Sequence, residues 1–133
     1  MRFEVQGKEY DLTLNFDAIV ELNKKYEGGV NEIVGHCLQG DVELFKDSIY
    51  FGLFHTEKGF TRKDIEAEIK RLFAEEALTQ EYIENTLREV VEENFFYKSK
   101  VRQQKKRLKK QMVAKNPEFE EIANEMYGLT TEE

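Results

Sequence analysis

The hydropathy of this chain changes period once, at Asn15, and does not change back. Before it, Phe3 and Val5 alternate with Arg2, Glu4 and Gln6. After Gly7-Lys8, the alternation resumes with Tyr10, Leu12 and Leu14 against Asp11 and Thr13. Successive strand side chains point to opposite faces, so these runs predict a β-hairpin with one apolar face. A lone hairpin is marginal in water and needs something to lie on. Everything after Asn15 has helical spacing. The expected fold class is therefore α+β: an N-terminal hairpin packed on a mostly helical bundle, with a C-terminal basic helical arm.

The helices announce their own ends. Asn15, Asp41, Thr61 and Thr79 each stand where an N-cap belongs, and Thr61 with Asp64 resembles a capping box. Gly28-Gly29, Gly40 and Gly59 stand where helices stop. The predicted core combines Phe3, Val5, Tyr10, Leu12 and Leu14 of the hairpin with Phe16, Ile19, Leu22, Ile33, Phe45, Ile49, Leu53, Ile65, Leu72, Ile83 and Leu87. The compact part ends with Phe95, Phe96 and Tyr97.

Charge divides the chain as sharply as hydropathy does. Residues 1–97 carry 11 Lys/Arg against 21 Asp/Glu, residues 98–117 carry nine basic residues and no acid, and residues 118–133 carry six acids and no base. The net charge of −7 hides a basic block between two acidic ones. Such asymmetry marks an interaction segment rather than a folding requirement. Two units are expected: a hairpin plus helical core over residues 1–97, and a basic helical arm with a short terminal helix over residues 98–133. The arm's stripe of Val101, Leu108 and Met112 is too narrow to bury a full helix face, so the arm is expected to be loosely attached. Asn116-Pro117 breaks it, and Phe119, Ile122, Met126 and Tyr127 form a second stripe. The candidate partner-binding residues are Val101, Leu108, Met112, Phe119, Ile122 and Met126 together with Arg102, Lys105 and Lys109. The contacts open to them are a second copy of the chain, the acidic core, or another protein.

Catalytic chemistry finds no constellation to work with. Cys37 has no second cysteine, and with His36 and His55 it cannot supply four zinc ligands. His36 and Cys37 are adjacent, so on a helix they point about 100° apart and do not form a nucleophile–base pair. The expected role of Cys37 is that of a small buried hydrophobe, and that of His55 a contact to a helix C-terminus. No phosphate-binding glycine loop or nucleophile elbow is present. The sequence therefore predicts no enzyme, cofactor or metal. No apolar run is long enough for a membrane span, and the opening Met-Arg-Phe-Glu-Val lacks the core of a signal peptide. A soluble protein of a reducing cytoplasm is expected.

The basic block leaves alternatives open. Phe95, Phe96 and Tyr97 ahead of nine bases suit a nucleic-acid module using residues 98–115. A basic amphipathic helix equally suits a protein partner, as in a small adaptor or regulator. The acids on either side repel phosphate and weigh against nucleic acid.

The order of motifs resembles that of phage tail assembly chaperones, small proteins of tailed phages and prophages of Gram-positive bacteria. The resemblance rests on Gly7, Lys8 and Tyr10 at the turn, and on Leu14, Asn15, Phe16, Ile19, Leu22, Asn23 and Tyr26 along the first helix. It continues through Gly40-Asp41, the run IYFGLFH at 49–55, and Gly59, Thr61 and Asp64, covering about residues 1–97. It implies a non-enzymatic cytoplasmic chaperone, absent from the mature virion. The partners it implies are the tape measure protein and tail tube subunits.

Overall fold

The computed structural model describes residues 1–128. Strands β1 (Arg2–Val5) and β2 (Lys8–Asp11) pair antiparallel, with Phe3 opposite Tyr10 and Val5 opposite Lys8. Gln6 and Gly7 both have positive φ, at 54° and 79°, as a two-residue hairpin turn requires. Seven α-helices follow among the described residues: α1 (Phe16–Lys25), α2 (Gly29–Leu38), α3 (Val42–Gly52), α4 (Arg62–Ala74), α5 (Gln80–Leu87), α6 (Lys98–Lys115) and α7 (Glu120–Tyr127). The fold is α+β and mostly helical, as expected.

Side chains start the helices where the sequence places them. Asn15 accepts from the Ala18 amide at 2.9 Å, Asp41 from Leu44 at 2.9 Å, and Thr79 from Tyr82 at 3.0 Å. Thr61 and Asp64 form the full reciprocal capping box. A wide turn at Arg88–Glu92 prolongs α5 and buries Val90 and Val91.

The hairpin lays Phe3 and Val5 inward, where they join Leu12, Leu14, Leu22, Ile33, Phe45, Ile49, Ile65 and Leu87 in one core. Tyr10 and Leu72 are only partly buried against it. Phe16 departs from expectation and is 77% exposed. At 100° per residue it lies about 110° from the centre of the arc set by Ala18, Ile19, Leu22 and Tyr26, so it points off the core. Of the three aromatics at the end of the compact part, Phe95 and Phe96 are exposed as well, and Tyr97 alone is fully buried.

A fully buried carboxylate ties three helices together. Asp47, on the inner face of α3, receives Lys25 Nζ and the Tyr26 hydroxyl at 2.7 Å each. Arg62 Nη1, at the start of α4, stands 2.5 Å from the same carboxylate. The Arg62 guanidinium also lies over the Tyr50 ring, 4.1 Å from its centroid. Burial, and then the bond to Asp47, push the Tyr26 phenol well above its ordinary range. Burial works against the Lys25 charge, but hydrogen bonds to Asp47 and Glu43 outweigh it and raise its pKa.

Gly40 turns the chain from α2 into α3 with φ of +67°. A β-carbon there would meet Gln80 Nε2 at 2.6 Å and Glu84 Cγ at 3.1 Å. That Gln80 nitrogen donates to the Gly40 carbonyl at 2.9 Å and cannot swing away without losing the bond. Gly40→Ala combines backbone strain with a lost hydrogen bond and is expected to cost about 2–3 kcal/mol in urea denaturation. A loss under about 0.5 kcal/mol would show that Gln80 yields freely.

Candidate functional site

α6 starts inside the core and runs out of it. Tyr97 and Val101 are buried at its root, Gln104 Nε2 donates to the Asn31 carbonyl at 2.9 Å, and Lys105 pairs with Glu92. These contacts seat the first two turns on α2 and on the Arg88–Glu92 turn. Further along, Leu108 is 36% exposed, although it follows Val101 by two turns on the same side. At Asn116-Pro117 the chain turns back, Asn116 Oδ1 accepting from the Glu118 amide at 3.2 Å. α7 returns along α6, so that Tyr127 and Gly128 share a cleft of about 530 Å³ with Phe95, Ser99 and Arg102 at the α6 root. The two helices form an antiparallel hairpin.

Only one side of α7 is used by this packing. Ala123 is fully buried. Phe119, Ile122 and Met126 are 41%, 51% and 61% exposed, and their spacing puts them on one face. Glu118, Glu121 and Glu125 flank that face, while the bases of α6 lie across the hairpin.

The nine residues singled out by sequence fall into two groups. Val101 and Lys105 are engaged within the chain, by burial and by the ion pair with Glu92. Arg102 is exposed and lines the cleft, and Lys109 and Met112 are half-buried along the hairpin. Leu108, Phe119, Ile122 and Met126 present apolar surface to solvent. Two further exposed aromatics, Phe16 and Phe95, lie on neighbouring segments, because Asn94 Nδ2 reaches the Leu14 carbonyl at 3.5 Å. The sequence carried a signal for Phe95: three consecutive aromatics cannot all face one core from successive helical directions.

A second cleft, of about 720 Å³, lies between the start of α1, the end of α3 and the start of α4. Tyr50, Phe54 and Phe60 line it, with Arg62, whose charge is committed to Asp47. His55 also lines it, and instead of capping a helix its Nε2 meets the Asp11 carbonyl at 2.7 Å. Among the described residues no three His, Cys, Asp or Glu side chains are grouped to hold a metal ion, and no helix is long and apolar enough to cross a membrane.

Cys37 is buried, with its thiol 3.6 Å from the Leu87 carbonyl. Burial, and then the charge of Glu92, push the thiol up to about 12 from 9.0. The native protein is expected to resist a thiol-reactive dye at pH 8 and to react fully in denaturant. An unfolded thiol ionises first, so this group's contribution to stability falls as pH rises above about 9. Rapid labelling of the native protein would mean that α2 opens away from α5.

No curated protein and no solved structure matches the chain. A family model does match, that of the phage tail assembly chaperone protein, TAC, over residues 2–106, which takes in the hairpin, the helical core and the seated half of α6. The chain belongs to the phage tail assembly chaperone family.

Proposed function

We propose that this protein is a non-enzymatic chaperone that binds the tape measure protein during tail assembly and helps recruit tail tube subunits to it. It acts in the host cytoplasm and is absent from the finished particle. Residues 1–97 serve as the folded body, and residues 98–133 as the arm that meets the client. The observation that carries this reading is the exposed apolar side of the α6–α7 hairpin, attached to a body that belongs to the chaperone family. A long helical client offers amphipathic stripes, and such a stripe lies naturally along Leu108, Phe119, Ile122 and Met126. The positive and negative borders of the hairpin set the client's orientation by charge.

Co-expression of the full chain with the tape measure protein of the same tail gene cluster tests the reading. The expected result is a soluble complex that survives nuclease treatment and loses about tenfold in affinity when Phe119→Ser is introduced. A tape measure protein that stays equally insoluble with or without the chain would end the proposal. Loss of capture on nuclease treatment would favour a nucleic-acid bridge instead.

A further inference from the structure

The aromatic cleft beside α1 continues past the volume described above. A neighbouring cleft of about 630 Å³ shares Asp17, Tyr50, Phe54 and Arg62 with it, so the two make one groove. Its floor is a set of interlocked rings. Tyr50, Phe51 and Phe54 stand mutually edge-on, with centroids 5.1, 5.4 and 5.1 Å apart, and Phe60 stands edge-on to Tyr10 at 5.3 Å. Tyr50, Phe54 and Phe60 are only partly buried, so the floor keeps apolar surface open. The walls are acidic. Asp17 and Glu21 lie one turn apart on α1, and Glu57 lies on the connection from α3 to α4. Glu21 has Lys24 at 3.3 Å, whereas Asp17 and Glu57 have no ion-pair partner among the described residues. Arg62 is the one Lys or Arg among the described residues that line the groove, and Asp47 already neutralises it. Arg62 also shows how this floor receives a cation: its guanidinium lies 4.1 Å from the Tyr50 centroid and 5.1 Å from that of Phe51.

We propose that this groove docks an arginine-bearing segment of another protein, its guanidinium lying on the Tyr50 and Phe54 rings between the carboxylates of Asp17 and Glu57. Charge selects a cationic segment, because three acids stand against one neutralised base and repel an acidic or phosphate-bearing chain. The floor selects a guanidinium over an ammonium, because a guanidinium is planar, weakly hydrated and stacks on rings. Shape selects a polypeptide over a small free cation. Two joined clefts with an aromatic floor need an apolar stem and neighbouring side chains to cover them, and a lone cation leaves that surface wet. The groove belongs to α1, α3 and α4 and uses no residue of the arm. The docking therefore goes beyond the client reading and does not depend on it. A chain with both surfaces holds one partner on its arm and a second, basic one on its body.

Fluorescence anisotropy of a labelled peptide, glycine-arginine-alanine-arginine-alanine, titrated with the full chain tests it. Saturable binding with Kd below about 1 mM is expected in 0.05 M salt. The same peptide with citrulline at both arginines keeps the shape and loses the charge, and should bind at least ~10-fold more weakly. Asp17→Asn with Glu57→Gln removes two exposed carboxylates without touching the core, and should weaken binding about tenfold at an unchanged melting temperature. Phe54→Leu should weaken it about threefold or more through the lost ring face. Glu121→Gln with Glu125→Gln, on α7, should leave it unchanged. No saturation by the wild-type chain, or equal binding of the citrulline peptide, overturns the proposal. Equal losses from the α7 pair and from the Asp17 and Glu57 pair would mean general attraction to acids and overturn it as well. Displacement of the peptide by spermidine at an equal concentration would make the groove a site for small cations, and would overturn the assignment to a protein segment.

Discussion

Asp47→Ala is expected to lower the stability of the fold by about 3 kcal/mol, the low end for breaking a buried ion pair. The carboxylate is fully buried, and its removal leaves the Tyr26 hydroxyl without its acceptor and two cations without their shared anion. The loss stays at the low end because Lys25 and Arg62 are 34% and 42% exposed and can recover water, and Lys25 keeps Glu43 at 2.9 Å. The expected fall in melting temperature is about 10–15 °C. Asp47→Asn keeps an oxygen for Tyr26 and should lose roughly half as much. The measurement is thermal denaturation followed by circular dichroism. A loss below about 1 kcal/mol for Asp47→Ala would mean that water already serves these three groups.

Phe45→Ala should cost about 3–5 kcal/mol, because it empties a fully enclosed aromatic site. The ring stands edge-on to Tyr82, 6.0 Å between centroids, and joins α3 to α5. The same substitution at Phe16, which is 77% exposed, should change stability by less than about 0.5 kcal/mol. Urea titrations of the two variants make a direct comparison. Equal losses at both sites would mean that Phe16 is held by a contact outside the described fold, and would place the start of α1 at an interface.

That contrast marks where sequence reasoning reached its limit. Caps were legible because a cap is a local event: Asn15, Asp41, Thr61 and Thr79 need only the amides two or three residues ahead. The hairpin was legible because its period is 2 and its turn needs a glycine. Burial at the ends of helices was not. Phe16 fits an apolar pattern by spacing, but at the first helical position its direction is set by where the rest of α1 settles. Asp47 was hidden for the opposite reason. A charge in a stripe of apolar residues reads as surface, and only the meeting of α1, α3 and α4 supplies Lys25, Tyr26 and Arg62. The arm shows both cases. Its basic character and the Asn116-Pro117 break were plain, whereas the seating of Val101 depends on α2 lying beside it.

The short hairpin has a consequence for how any partner can be recognised. A sheet edge with free amides and carbonyls invites an extra strand, either from a partner or from a misfolded copy. Here each strand is four residues long, and Arg2, Glu4, Glu9 and Asp11 place charges along it. Glu68 takes the Gln6 amide hydrogen at 3.0 Å and Arg71 reaches Glu4, while just past β2 the Thr13 amide is already bonded to the Gly52 carbonyl. Short, charged edges of this kind disfavour main-chain zippering, which protects a crowded assembly from strand-by-strand aggregation. What docks on this protein must be read through its side chains.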